Sequence, residues 1–248
     1  MILIAGPCVI ESKDILQKTI NDLLKSISDL NVDFYFKSSW RKDNRTTTTG
    51  FSGINPQQAI DFLLDIKYEY KIKICTDVHT PEDFIKYDFS QIDLIQIPAY
   101  LAKQHSLLKE AAAFCSKHNL GMHIKKPQFV GPEDMINIAN NAWKYGADKI
   151  IITDRGTQLG YNQVFMDPRH VPIMKRCSFP VLCDITHPNK NYPGDKVDNA
   201  ITLGRAYIAA GADGIFLETH PDCENALCDG QVMIPSNQLK EVIQQIYE

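Results

Sequence analysis

Short apolar runs rich in Ile, Val and Phe alternate along this chain with longer amphipathic stretches. The short runs predict eight strands, at Ile2–Gly6, Asp33–Lys37, Ile72–Asp77, Leu94–Ile97, Met122–Lys125, Lys149–Asp154, Val181–Asp184 and Gly214–Glu218. The amphipathic stretches predict helices over Asp14–Leu30, Pro56–Tyr70, Pro81–Tyr87, Ser106–His118, Pro132–Tyr145, Pro168–Arg176, Lys196–Ala210 and Ser236–Tyr247. Several open on Pro, whose missing N–H would have no partner in a first helical turn. Eight β-then-α units with continuously apolar strands predict a single (β/α)8 TIM barrel, one domain over residues 1–248. A doubly wound open sheet is the alternative, but no Gly-rich dinucleotide fingerprint follows any strand.

The residues at or just past the strand ends are all polar or reactive: Cys8, Lys37, Asp77, Gln96, Lys125, Arg155, Asp184 with His187, and Glu218. A barrel gathers these ends on one face, where active sites are built. The stretch Gly214–Gly230 carries Glu218, Thr219 and His220 directly after a buried run, with Asp229 following a short loop. A carboxylate at the mouth of a buried strand needs a metal, a cation or dense hydrogen bonding to offset desolvation. Cys8, His187, Glu218 and Asp229 form a mixed donor set suited to Mn, Fe, Co or Zn. Their plainer reading is an inert buried cysteine, a capping histidine and structural acids. Cys223 and Cys228, with Cys177 and Cys183, are a weaker structural-zinc candidate, because their spacing fits the usual paired-cysteine pattern poorly.

Lys37, Lys125, Lys126 and Arg155 form a second group, cations at strand ends suited to gripping phosphate or carboxylate. The loop Ser38–Asn55 adds Arg41, Lys42, Asn44 and Arg45, then hydroxyls at Thr46–Thr49 and two glycines, which reads as a second oxyanion grip. The plainer reading of that loop is a solvated surface segment. Two anion grips and one metal point to two phosphorylated substrates.

Composition narrows the partners. With 248 residues, 44% hydrophobic and 23% charged, the chain can bury one large core, and a net charge of -4 provides no basic field for nucleic acid. No apolar run approaches membrane-spanning length, and the start lacks signal-peptide character. Seven cysteines scattered through predicted strands and helices fit a reducing compartment, so a cytoplasmic location is expected.

Nine segments carry a resemblance that runs almost end to end. They are AGPCVIES (Ala5–Ser12), FKSS (Phe36–Ser39), KDNR (Lys42–Arg45), TDVH (Thr76–His79), QIPAYL (Gln96–Leu101), IKKPQF (Ile124–Phe129), TDRG (Thr153–Gly156), DITH (Asp184–His187) and ETHPD (Glu218–Asp222). The chain resembles the 3-deoxy-manno-octulosonate 8-phosphate synthases, relatives of the 3-deoxy-arabino-heptulosonate 7-phosphate (DAHP) synthases. The resemblance implies a condensation of phosphoenolpyruvate, arabinose 5-phosphate and water that feeds lipopolysaccharide synthesis. It assigns phosphoenolpyruvate to Lys37, Lys42, Lys125, Gln128 and Arg155, and the sugar to Asn44, Arg45, Thr46, Asp77, Gln96, Pro98 and Ala99. It implies catalytic roles for Lys37, Lys125, His187 and Asp229, a divalent metal on Cys8, His187, Glu218 and Asp229, and a homotetramer. Metal-independent relatives carry Asn at the position of Cys8. Where the family has Lys-Ala-Asn-Arg-Ser-Ser and a following His, this chain has Lys42–Thr49 with Asp43 and four threonines. The alternatives are a DAHP synthase using erythrose 4-phosphate and a barrel that binds phosphosugar or metal without turnover.

Overall fold

The computed structural model describes residues 1–43, 50–160 and 162–247. Eight parallel strands form its centre: β1 (Ile2–Gly6), β2 (Asp33–Lys37), β3 (Lys73–Asp77), β4 (Leu94–Ile97), β5 (Gly121–Lys125), β6 (Ile150–Asp154), β7 (Val181–Asp184) and β8 (Gly214–His220). They pair in sequence order, and β1 pairs with β8 from Ile2↔Gly214 to Gly6↔Glu218, closing the barrel. Outside run α1 (Lys13–Ile27), α2 (Pro56–Tyr70), α3 (Asp83–Lys86), α4 (His105–His118), α5 (Pro132–Lys144), α6 (His170–Met174), α7 (Lys196–Ala209) and α8 (Leu239–Tyr247). The expected (β/α)8 TIM barrel is therefore what the chain forms.

Local sequence explains the helix starts. The side chains of Ser12, Asn55 and Asp195 accept hydrogen bonds from the first-turn amides of α1, α2 and α7, and Pro56 occupies the first turn of α2. Lys71 and Asn119, both left-handed, stop α2 and α4. Several boundaries differ from expectation. The first helix ends at Ile27 rather than Leu30, and the third is a single turn, Asp83–Lys86. The sixth begins at His170, because Asp167 accepts from the Arg169 amide and holds the preceding residues in a turn. The eighth strand runs two residues past Glu218, where Thr219 and His220 pair with β9 (Ile234–Pro235), a two-residue strand the pattern did not predict.

Strand alternation sorts the side chains. Ile4, Cys75, Leu94, Ile151, Leu182 and Phe216 pack together inside the barrel, while Leu3, Phe36, Ile74, Ile95 and Ile215 join the core beneath the helices. Two residues beyond each interior position the same face presents Gly6, Asp77, Gln96, Thr153, Asp184 and Glu218. By the same count Lys37 follows Tyr35 and Lys125 follows His123. Gly6 is required there, since a Cβ would stand 2.1 Å from the Lys37 carbonyl oxygen.

Candidate active site

A cavity of about 420 Å³ opens at the C-terminal end of the barrel, a size usual for small-molecule sites. Lys37, Lys42, Lys125, Arg155 and Lys190 bring five cations to its wall, and Asp77, Glu218 and Asp229 bring three carboxylates. Gln96, Pro98, Ala99 and His187 also line it. Asn44, Arg45 and Thr46 lie outside the described residues.

The lysines are held by an internal network. Lys37, only 1% exposed, donates to Ser39 Oγ at 3.0 Å and to the Cys8 carbonyl at 3.4 Å, and stands 3.5 Å from Glu218 Oε1. Lys42 donates to the same Ser39 hydroxyl at 2.9 Å, and that hydroxyl donates to Asp77 Oδ2 at 2.8 Å. Burial opposes the charge on Lys42, but Cys8, Glu218 and Asp77 outweigh it and raise its pKa well above the usual value. Lys125 behaves differently. Burial pulls its pKa down to about 8 against the attraction of Asp184, with Arg155 adding to the depression. Its Nζ lies 3.2 Å from the centroid of the Phe216 ring, which forms the cavity floor.

Asp184, fully buried, ties this cation to the opposite wall. Its Oδ2 accepts from Lys125 Nζ at 2.5 Å and from His187 Nδ1 at 2.8 Å, while its Oδ1 takes the Thr186 and His187 amides. Burial would raise its pKa, but His187 and Lys125 hold it well below the usual carboxylate range. With Nδ1 committed to Asp184, His187 Nε2 is left facing Glu218 Oε2 at 3.7 Å.

Among the described residues, two donor groups can hold a metal ion: His187, Glu218 and Asp229, and Cys8, Cys228 and Asp229. Glu218 Oε2 is buried without a hydrogen-bond partner among the described residues. That orphaned anionic oxygen, beside an available imidazole nitrogen and a second carboxylate, fits a divalent cation. Despite burial, Glu218 has a lowered pKa, with His187, Lys37 and Lys42 supplying the favourable charge. The Cys8 thiol is pushed well up by burial and by its contacts with Cys228 and Glu218. The four expected ligands thus do not form one cluster; Asp229 belongs to both groups, and Cys8 pairs with Cys228.

Other expected residues stand elsewhere. Gln128 does not line the cavity and is buried with neither amide atom of its side chain hydrogen-bonded among the described residues. Lys126, placed with the anion-binding cations by sequence, turns away from the cavity, because adjacent strand-end residues face opposite sides. Its Nζ, fully buried, donates to the carbonyls of Gly156 at 2.8 Å and of Pro127 and Val130 at 3.2 Å, 3.6 Å from Asp154. Asp154 in turn accepts from the Gly156 amide and Tyr207 hydroxyl and pairs with His170. Lys126 therefore staples the β5 and β6 loops together. Lys126→Met is expected to lower the unfolding free energy by about 3–5 kcal/mol, because the buried Asp154 carboxylate loses its lysine counter-charge and three carbonyls lose a donor. Urea unfolding checks it: the midpoint should fall at unchanged slope.

Sequence reasoning missed Tyr100, Lys190, Leu227 and Val232, which reach the cavity from loops and carry no periodic signal. Of the weak zinc candidate, Cys223 bonds to the carbonyls of His220 and Met233, whereas Cys228 faces Cys8. No disulfide joins any of the seven cysteines.

Fold and rim together define a class: a (β/α)8 barrel whose strand ends surround a cavity lined by cations and by donors that could hold a divalent ion. The family model described as the DAHP synthetase I family matches residues 1–248, and the chain belongs to that family. A Hydrogenovibrio crunogenus protein called 2-dehydro-3-deoxyphosphooctonate aldolase is 37% identical over 256 residues, covering 100% of this chain and 90% of its own length. Proteins of the same name from Bartonella bacilliformis (38% identical; 98% of this chain, 86% of that protein) and Geobacter sulfurreducens (35%; 99% and 91%) are equally similar along their length.

Proposed function

We propose that the whole chain, acting as one catalytic domain, condenses phosphoenolpyruvate with arabinose 5-phosphate and water to give 3-deoxy-manno-octulosonate 8-phosphate and inorganic phosphate. The observation that carries this reading is the pairing, in one cavity, of five cations with a cluster of metal-ligating donors. The name shared by full-length relatives supports the octulosonate product.

Lys37, Lys42, Lys125 and Arg155 hold the phosphate and carboxylate of phosphoenolpyruvate, neutralising its charge and fixing the enol carbon for attack on an aldehyde. Asp77 Oδ1 and Gln96 Oε1, both buried without hydrogen-bond partners among the described residues, are acceptors for sugar hydroxyls, with Pro98 and Ala99 as the adjoining wall. Asn44, Arg45 and Thr46 take the sugar phosphate in this reading. Cys8, His187, Glu218 and Asp229 hold a divalent ion, Mn, Fe, Co or Zn, which when bound supplies Lewis-acid polarisation of the aldehyde or the attacking water. Asp184 fixes the tautomer of His187 and keeps Lys125 beside it. The enol carbon bonds to the aldehyde carbon, water adds to C2 of the former phosphoenolpyruvate, and the C–O bond to phosphate breaks. In this reading Asp229 carries the proton during water addition, because both ring nitrogens of the other expected carrier, His187, are committed, Nδ1 to Asp184 and Nε2 to the ion. The chain works in the cytoplasm as a homotetramer. Support for assembly comes from Phe129, Leu159, Phe165 and Tyr192, large apolar side chains exposed on loops of the cavity face.

Phosphate release with two aldose phosphates tests the reading. Release with arabinose 5-phosphate at least about tenfold faster than with erythrose 4-phosphate, by the measure of kcat/KM, supports it. The reverse preference makes the chain a heptulosonate synthase, and release with neither overturns a synthase role.

A pH effect follows from Lys125. Only its protonated form attracts the substrate's negative charge, and its pKa is lowered to about 8. Above that pH, kcat/KM for phosphoenolpyruvate is expected to fall about tenfold per unit. Lys125→Arg, which keeps its charge, should lose the descending limb in a pH-rate profile.

A further inference from the structure

We propose that Cys228 is a second thiolate ligand of the divalent ion, beside Cys8. The inference rests on the reading that this site holds such an ion, and it deepens that reading by naming a donor beyond the expected four.

Cys8 Sγ and Cys228 Sγ lie 2.9 Å apart, and each lies 3.1 Å from Asp229 Oδ2. Donors bound to one ion at about 2.3 Å for sulfur and about 2.1 Å for oxygen stand about 3.1–3.3 Å apart when their bonds meet at a right angle. Both sulfur-to-Asp229 distances thus already have the spacing of neighbouring ligands on a shared ion, and the two sulfurs, at 2.9 Å, need only move apart by a few tenths of an ångström to admit it. Cys228 also lines the cavity, as do His187, Glu218 and Asp229, whereas Cys8 does not. Of the two sulfurs, Cys228 is therefore the one that shares the cavity wall with the other donors.

The backbone is shaped to make this happen. Asp229 adopts φ 54°, a left-handed conformation disfavoured for a residue with a Cβ and kept only where surroundings impose it. Its carbonyl accepts the amides of Val232 and Met233, anchoring the turn. The consequence is that adjacent residues 228 and 229 both turn their donor atoms to Cys8, where an extended backbone would send them to opposite sides. Asp229 then joins the sulfur pair to His187 and Glu218. Two thiolates soften a site that one thiolate and three harder donors would leave undiscriminating, so zinc, cobalt or ferrous iron is favoured over manganese.

Cobalt provides the test. Reduced wild-type protein loaded with one equivalent of Co²⁺ is compared with Cys228→Ser, Cys8→Ser and the double variant by near-ultraviolet sulfur-to-cobalt charge-transfer absorption. Each single variant is expected to keep half the wild-type intensity and the double variant none. Full intensity in Cys228→Ser, with complete loss in Cys8→Ser, overturns the second thiolate while leaving the ion in place. Absence of any visible cobalt ligand-field absorption in the wild type overturns the ion itself and this inference with it. Should Cys228→Ser not fold, zinc-edge X-ray absorption of the wild-type protein decides: two sulfurs at about 2.3 Å support the proposal, and one sulfur overturns it.

Discussion

Asp184→Asn is expected to weaken divalent-ion affinity about 10–100-fold, the usual effect of removing the carboxylate behind a metal-binding histidine. The reason is geometric as well as electrostatic. Asp184 Oδ2 is shared by Lys125 Nζ and His187 Nδ1, and Oδ1 by two amides and the Thr186 hydroxyl, so one buried carboxylate aims both walls of the cavity. Asn keeps the shape but loses the charge. The imidazole then loses the partner that fixes its tautomer, and Lys125 loses the attraction that opposes burial in setting its pKa near 8. Two readings should therefore move together. Chelator competition should show the weaker ion affinity, and the alkaline limb of kcat/KM for phosphoenolpyruvate should shift to lower pH. A variant with weaker ion binding but an unmoved limb would mean that Asp184 does not govern Lys125.

Glu218→Gln should have the larger effect on turnover. The buried Oε2 has no hydrogen-bond partner among the described residues and faces only the His187 imidazole at 3.7 Å, so a bound cation would offset its desolvation. Losing an anionic ligand of an ion that would polarise the reacting group removes several kcal/mol of transition-state stabilisation. At about 1.4 kcal/mol per tenfold in rate, phosphate release is expected to fall at least about 10³-fold. The fold should survive, because Lys37 keeps the Cys8 carbonyl and the Ser39 hydroxyl as partners. Steady-state phosphate release with a thermal melt as control checks it. Near-wild-type turnover would remove Glu218 from the ion site.

The barrel was legible because its signals are local and repeated. Strands covered on both faces must be apolar throughout, and each helix that covers them must carry one apolar stripe, so eight alternations leave few folds open. β9 was invisible for an equally physical reason. Two residues, one of them Pro235, carry no alternation, and their pairing depends on β8 outrunning the barrel.

The site was legible wherever side-chain direction follows from strand parity. Lys37, Asp77, Gln96, Lys125 and Glu218 each stand two residues beyond an interior position and all line the cavity. Parity also explains the error at Lys126, which follows Lys125 and must therefore point outward. Lys190 and Tyr100 reach the cavity from loops, where no period constrains them. Cys228 was read only with Cys223, Cys177 and Cys183, and its true neighbour was hidden. Cys228 lies 220 positions from Cys8, and only the closure of β1 onto β8 brings the two sulfurs together.

The proposed condensation depends on a divalent ion, and one assay joins the two. Protein stripped with EDTA and protein restored with Zn²⁺ or Mn²⁺ are each given phosphoenolpyruvate and arabinose 5-phosphate, and phosphate and 3-deoxyoctulosonate are counted together. One phosphate per 3-deoxyoctulosonate is expected from the restored protein and neither product from the stripped protein. Full turnover by the stripped protein, or phosphate released without the new sugar acid, would contradict the proposal.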